Sequence, residues 1–363
     1  MKRLLDLLNA HSGEFNVSVI VPVEHESFDK EVNRNRVKVA IKEAGEKILT
    51  QRSDYDFLVG KAAALFDQID WEHPAKGVGL FFSPSVSEWT YFTQPVTEKI
   101  IAGELFETRD IVYEITNTMR FWLLVISMNR TRLFWGEGNK IHEMQDERFP
   151  LHYVEEFDFD QTPSRIRSTQ GVEKSRVQIE RSMEYIRKVD ALLDFYLRMQ
   201  NVPVILGGVS EVTSMFEEIT KHSGAMAGKV EGNFDYATDA EIRDKAMQQI
   251  ALWKGSQTAK LIHQFEEAVG AHRCVWGVEE VWKAAVEGRC DTLLVEKDYL
   301  QPAMFTNDLF LINPNGPVEN LSPRTADVVN NIISMVMEKN GKIVFAENEQ
   351  LASFNKIASL LRY

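Results

Sequence analysis

Apolar positions alternate or run together in short blocks along this chain, and each block predicts an element. Residues 15–23, FNVSVIVPV, are β-branched and alternating and predict a strand ended by Pro22. The segment 29–50 sets Val32, Val39, Ile41, Ala44 and Ile48 at helical spacing and predicts a helix whose other side carries Lys30, Arg34, Arg36, Lys38 and Lys42. A second helix at 54–70, a buried strand at 77–84, a strand at Trp89–Gln94 and an apolar edge near Lys99–Ala102 complete an α/β unit ending near Tyr113. A three-stranded meander then follows: Phe121–Met128, Arg132–Trp135 and Ile141–Met144, with turns at Asn129-Arg130 and Gly136–Asn139.

From Val172 to Gln200 the period changes to that of a long amphipathic helix, with Ile179, Met183, Ile186, Leu193 and Leu197 on one side and Tyr185, Val189, Leu192 and Tyr196 broadening it. The continuous run 203–209, PVILGGV, reads as a buried parallel strand, and its Gly207-Gly208 as a tight turn. Helices are expected at 210–222 and 239–269, with Gly224 to Asp235 as a connection. The last part is predicted to hold a helix from Gly277 through Ala285, a strand at 290–297, an irregular proline-containing region at 299–323, a helix at 324–339, a strand at 342–347 and a short helix at 348–353. This order predicts a mixed α/β (α+β) fold in three domains, 1–115, 116–270 and 271–363.

Charge adds one local exception to this pattern. The chain of 363 residues has net charge −13, divided −6, −4 and −3 over the three parts, which argues against a broad basic face that coats nucleic acid. Yet residues 161–181 carry Arg165, Arg167, Lys174, Arg176 and Arg181 against Glu173 and Glu180, a net of +3. The preceding stretch 142–160 has seven carboxylates against Arg148, a net of −6. At the apex of the basic loop stand Ser168, Thr169, Gln170 and Gly171. Any RNA contact is therefore expected from a local basic tip.

Other chemistry has little support in the sequence. His142-Glu143 and His152 with Glu155 and Glu156 lack the spacing of a metal-binding helix, and an acidic surface ribbon explains them better. His272 beside Cys274 reads as a strand edge. Cys274 and Cys290 are the only cysteines and read as buried apolar residues of a reducing compartment. No nucleotide-binding glycine pattern occurs, so neither a metal nor a cofactor is expected. The basic start MKRLLDLLNAHSGEF is broken by Asp6 and Asn9, which predicts a short amphipathic helix in a cytoplasmic protein that does not enter the membrane.

Two regions resemble a known family. The meander FWLLVISMNRTRLFWGEGNKIHEM with the loop and helix RIRSTQGVEKSRVQIERSMEYIRKVDALL is similar to the middle domain of archaeal and eukaryotic peptide-release factors and their relative Pelota, including an RKV-like segment at Arg187-Lys188-Val189. WGVEEVWKAAVEGRCDTLLVEKDY, GKIVFAEN and the terminal IASLLRY resemble their third domain. The likeness covers roughly 118–363 and is closest to the bacterial branch, which includes a ribosome hibernation factor; the first part shows no stop-codon reading motif.

The resemblance implies an RNase H-like middle domain and a ribosomal-protein-like α/β/α C-terminal domain. It also implies a loop, 161–176, that reaches the ribosomal peptidyl-transferase centre. It makes Arg165, Arg167, Ser168, Thr169, Gln170, Gly171, Lys174 and Arg176 the expected RNA-binding residues. The implied partners are the rRNA of the A site and peptidyl-transferase centre and a translational GTPase such as elongation factor Tu. Release factors carry Gly-Gly-Gln at the loop tip, whereas this chain has Ser168-Thr169-Gln170-Gly171. β-branched Thr169 resists the backbone angles that glycine permits, so a non-catalytic factor for idle or stalled ribosomes is expected. The alternative is a peptidyl-tRNA hydrolase or rescue enzyme in which Gln170 positions the water.

Overall fold

The computed structural model describes residues 1–11, 15–24, 30–153, 170–306, 309–312 and 325–363; for 170–178, 303–306, 309–312 and 325–326 the backbone alone is described. It is the mixed α/β fold that the periodicities predict, and it divides into two compact units, residues 1–117 with 261–363, and residues 118–260.

In the first unit, strands β1 (Asn16–Pro22), β2 (Gly77–Phe82), β3 (Ser87–Phe92) and β4 (Lys99–Gly103) form an antiparallel sheet of order β3-β2-β1-β4. Side chains alternate across a strand. Val17, Val19 and Val21 therefore meet Val37, Ala40, Ala44 and Ile48 of helix α2 (Lys30–Gln51) and Leu58, Ala62 and Leu65 of α3 (Phe57–Phe66). Ile20, with Phe81 and Phe92, faces the other way. There it joins Leu5 and Leu8 of α1 (Lys2–Ala10) and Ile111 and Val112 of α4 (Arg109–Asn117). The same cluster takes in Val281 and Ala285 of α8 (Val278–Val286) and Ile332 and Ile333 of α9 (Val328–Glu338). The valines at alternate positions make β1 legible, although its other face carries buried Asn16 and Ser18 beside Ile20.

The later segment of this unit contributes its own sheet, of order β11-β17-β12-β16, from β11 (Cys274–Trp276), β12 (Cys290–Glu296), β16 (Lys342–Ala346) and β17 (Ile357–Leu361). Leu293 and Val295 face the cluster with α8 and α9, while Leu294 and Ala358 face Phe265, Ala268 and Phe354. A small sheet of β13 (Pro302–Thr306), β14 (Leu309–Ile312) and β15 (Thr325–Asp327) stands where irregular chain was expected. The helix expected at 324–339 starts only at Val328, because Asp327 caps it by accepting the Val329 N–H.

Helix α4 was not expected. Charged residues of this helix face inward in pairs: Lys99 Nζ lies 2.6 Å from Asp110, with side chains 2% and 4% exposed, and Glu114 accepts from the Thr93 hydroxyl. Tyr113 on the same helix packs edge-on to Phe345, centroids 5.2 Å apart, with Lys297 Nζ 4.6 Å over its ring. Burial, with the Glu347 carboxylate adding, pushes the Tyr113 phenol up from 10.0 to about 12. Since the folded value lies above the unfolded one, this contribution is complete below pH 10 and is lost as pH rises toward 12. It is worth about 2–3 kcal/mol. Tyr113→Phe is expected to lose less stability than the wild type between pH 9 and 12, as read by urea midpoints along that range.

The second unit is a sheet of order β10-β9-β5-β6-β7, from β5 (Arg120–Val125), β6 (Arg130–Glu137), β7 (Lys140–Glu143), β9 (Val204–Gly208) and β10 (Met226–Glu231); the short β8 (Leu151–His152) also pairs with β6. β5, β9 and β10 run parallel, and β6 and β7 complete the meander. One face packs on α5 (Gln170–Met199) and α6 (Ser210–Ile219) through Trp122, Leu124, Val204 and Leu206. The other, with Phe121, Leu123 and Ile205, packs on Ile242, Ala246 and Ile250 of α7 (Asp239–Gly270). β10 corrects the expected connection at Gly224 to Asp235. Of its residues only Val230 is buried, so it carries almost no apolar signal and is held by backbone pairing to β9. Gly208 ends β9 at φ +157, where a Cβ would lie 2.7 Å from the Ile126 carbonyl oxygen. The glycine is required by that approach.

Candidate functional site

Aromatic side chains of the second unit form a stem that holds the described chain on either side of residues 154–169. Arg165, Arg167, Ser168 and Thr169 lie outside the described residues, as do the side chains of Gln170, Gly171, Lys174 and Arg176, whose backbone forms the start of α5. What the structure places is the chain on either side, up to Tyr153 and onward from the start of α5.

Tyr185 is the buried pivot of the stem. It is 0% exposed, donates its hydroxyl to Thr131 Oγ1 at 2.7 Å and lies 3.1 Å from the Leu151 carbonyl oxygen. Its ring meets Tyr153 edge-on at 5.2 Å, and the Tyr153 N–H reaches the Asn129 carbonyl at 3.3 Å. The last described residues before the loop are thus held to both α5 and the β5–β6 turn.

A turn below them is fixed by a second tyrosine. Tyr196 donates to Asp146 Oδ2 at 2.5 Å, while Asp146 Oδ1 accepts the N–H groups of Arg148 and Phe149 at 2.8 and 3.1 Å. Tyr196 also packs on Trp122 and Phe149, and the Arg148 guanidinium lies 3.8 Å over the Phe195 ring. Burial pushes the Asp146 carboxyl up, but the Tyr196 hydroxyl, the two N–H groups and the Arg148 charge outweigh it and hold it below the usual carboxylate range. Burial and the Asp146 bond push the Tyr196 phenol up. The pair therefore keeps the ionised-acceptor, neutral-donor state across the neutral range.

Farther along α5, buried Asp190 accepts the Thr220 hydroxyl at 2.6 Å and the Lys221 N–H at 3.4 Å, tying down the chain that leaves α6. Arg187, of the RKV-like segment, is exposed, and Val189 is fully buried against the sheet. Tyr153, Thr131, Asp146 and Asp190 are positioning residues that the sequence reading did not single out. The available signal was Asp190 inside an apolar stripe and two tyrosines whose hydroxyls need partners when buried.

The other candidates remain ordinary. Glu143 pairs with Arg130 at 2.7 Å, and no group of three or more His, Cys, Asp or Glu comes together among the described residues. The basic side of α2 is largely self-satisfied: Lys30 pairs with Glu72, Arg36 donates to the Pro22 carbonyl, and Arg34 and Lys38 lie over Phe66. Burial pushes the Cys274 thiol up to about 11, so it is a poor nucleophile at neutral pH. No described helix is long and apolar enough to cross a membrane.

Residues 120–289 match the profile described as bacterial archaeo-eukaryotic release factor family 3. No curated protein sequence matches the chain. Among solved structures, a ribosome-bound archaeal Pelota with ABCE1 is 13% identical, covering 99% of this chain and 94% of its own, with a TM-score of 0.43. The S. cerevisiae translation termination-like factor Dom34 is 14% identical over 78% and 73%, TM-score 0.39. Archaeoglobus fulgidus Pelota is 12% identical over 79% of each, TM-score 0.34. The profile match spans the meander, the basic loop, α5 and the anchors around it, so over residues 120–289 the chain is similar to bacterial archaeo-eukaryotic release factor family 3.

Proposed function

We propose that this protein is a ribosome-binding factor that occupies the A site of idle or stalled ribosomes, acting in hibernation or rescue without cleaving peptidyl-tRNA. The observation that carries the reading is a release-factor family match that contains a basic loop whose tip reads Ser168-Thr169-Gln170-Gly171 in place of Gly-Gly-Gln. Loop 165–176 reaches toward the peptidyl-transferase centre. Arg165, Arg167, Lys174 and Arg176 neutralise phosphates there, and Ser168, Thr169, Gln170 and Gly171 offer short polar groups and close backbone approach to bases. The stem supports this use, because a probe inserted into RNA must be held rigidly at its base to keep its register. The first part of the chain faces the decoding region, and the C-terminal segment faces a translational GTPase such as elongation factor Tu.

Ribosome co-sedimentation tests the assignment. Reversing the four cations to Glu is expected to weaken binding at least tenfold at moderate salt and to flatten its salt dependence, since each lost phosphate contact removes about 0.7–0.9 from the log–log slope. Binding unchanged by the reversal would falsify the loop's role. The hydrolytic reading, favoured by the retained Gln170, is separated in the same preparation: nascent-peptide release that disappears in Gln170→Ala supports it, and no release at saturating protein removes it.

A further inference from the structure

The second unit exposes one aromatic ring to a degree that its immobile surroundings make unusual. Tyr236 is 94% exposed, the highest value among the exposed large hydrophobic side chains described. It sits on the short connection between β10 and α7, where every neighbour is fastened. The Gly232 N–H reaches the Gly208 carbonyl at 3.0 Å, and Phe234 is buried in the core with Arg132 donating to its carbonyl at 2.9 Å. Ser127 Oγ donates to Asp235 Oδ1 at 2.5 Å, and Asn233 accepts the Asp235 N–H at 3.0 Å. Thr238 and Glu241 bond each other reciprocally at the start of α7. The ring is thus displayed on backbone whose ordering cost is already met by the fold, the condition under which an exposed tyrosine contributes most to binding.

The charge around it selects the partner. Residues 233–241 contain Asp235, Asp239 and Glu241, all exposed, and no Lys or Arg. The cations nearest in the fold are engaged: Arg132 pairs with Asp239 at 3.5 Å with a side chain 9% exposed, Lys245 lies 5.1 Å over the Phe234 ring, and Lys229 pairs with Glu217 and Glu231. Carboxylates beside the ring repel phosphates, which disfavours stacking on a nucleic-acid base, and they attract cations.

We propose that Tyr236, with Asp235, Asp239 and Glu241, is a docking surface for a lysine- or arginine-rich polypeptide segment. A cationic side chain lies on the Tyr236 ring, and its neighbours pair with the second carboxylate oxygens, beyond the contacts to Ser127, Arg132 and Thr238. The surface shares the β5–β6 turn with Tyr153, because Ser127 and Asn129 of that turn hold Asp235 and Tyr153 respectively. The proposal stands on this surface alone and does not need the ribosome assignment.

Fluorescence anisotropy of a labelled twelve-residue Arg/Lys peptide with the full chain tests it, beside a labelled oligouridylate of equal length. The expected result is peptide binding that weakens with salt, falls at least tenfold in Tyr236→Ala and is kept within about threefold in Tyr236→Phe, which retains the ring face. Tyr236 buries almost nothing, so both variants are expected to fold; circular dichroism confirms it. The proposal is overturned by equal peptide binding in wild type and Tyr236→Ala, by no peptide binding, or by tighter binding of the RNA through Tyr236.

Discussion

Arg109→Leu is expected to destabilise the first unit by about 3–5 kcal/mol, the range for removing one partner of a buried ion pair. Arg109 opens α4 with a side chain 1% exposed, and it serves two acids and a carbonyl. Its Nε lies 3.8 Å from Glu107, which is 1% exposed, its Nη2 contacts Asp327, and its Nη1 donates to the Tyr299 carbonyl at 2.5 Å. Glu107 comes from the segment before residue 117, and Asp327 and Tyr299 from the segment after 261. Asp327 Oδ1 is already committed to the N–H groups of Gln301 and Val329, so its second oxygen depends on the guanidinium. Without Arg109 two carboxylates stay buried with no cation. Urea unfolding of the full chain measures the loss. The triple replacement Arg109→Leu, Glu107→Gln and Asp327→Asn is expected to recover part of it, because it removes the stranded charges. A single-variant loss below about 1 kcal/mol would show that Arg109 does not carry this network.

The same residues explain where the sequence was and was not legible. β1 and α5 were readable because their apolar positions follow the period of the element that buries them, and β5 and β9 because a strand covered on both faces reads as a short continuous apolar run. α4 was not, since Arg109, Asp110 and Glu114 go inward among its apolar residues, and Asp327, which pairs with Arg109, is far away in sequence. β10 failed for the opposite reason: its stability comes from backbone bonds that any sequence can make. The hairpin of β13 and β14 was obscured by prolines, yet Pro302 opens its strand, where a missing N–H is tolerated. At the site, net charge found the basic tip, and the family match covers it, but the stem's hydrogen bonds join Tyr185 to Thr131 across 54 residues and Tyr196 to Asp146 across 50, separations at which one sequence carries no signal.

Tyr185→Ala tests whether that stem is what holds the loop's base. The substitution empties a fully buried aromatic site, so a loss of about 3–5 kcal/mol from the second unit is expected. Tyr185→Phe keeps the volume and removes the hydroxyl that reaches Thr131 Oγ1 and the Leu151 carbonyl; Thr131 keeps its bonds with Ser127, so the cost is about 1 kcal/mol. The two variants separate packing from anchoring. Amide exchange at Leu151–Tyr153 is expected to speed up in both, because β8 is only two residues long and its pairing with β6 is backed by Tyr185. Exchange along β5 and β9, limited by unfolding of the unit, is expected to speed up far more in Tyr185→Ala, where the core itself is weakened. If Tyr185→Phe leaves exchange at Leu151–Tyr153 unchanged, the hydroxyl does not hold the stem. The loop's base would then be set by the Tyr196–Asp146 turn alone, whose hydroxyl bond Tyr196→Phe removes while leaving the Asp146 backbone contacts in place.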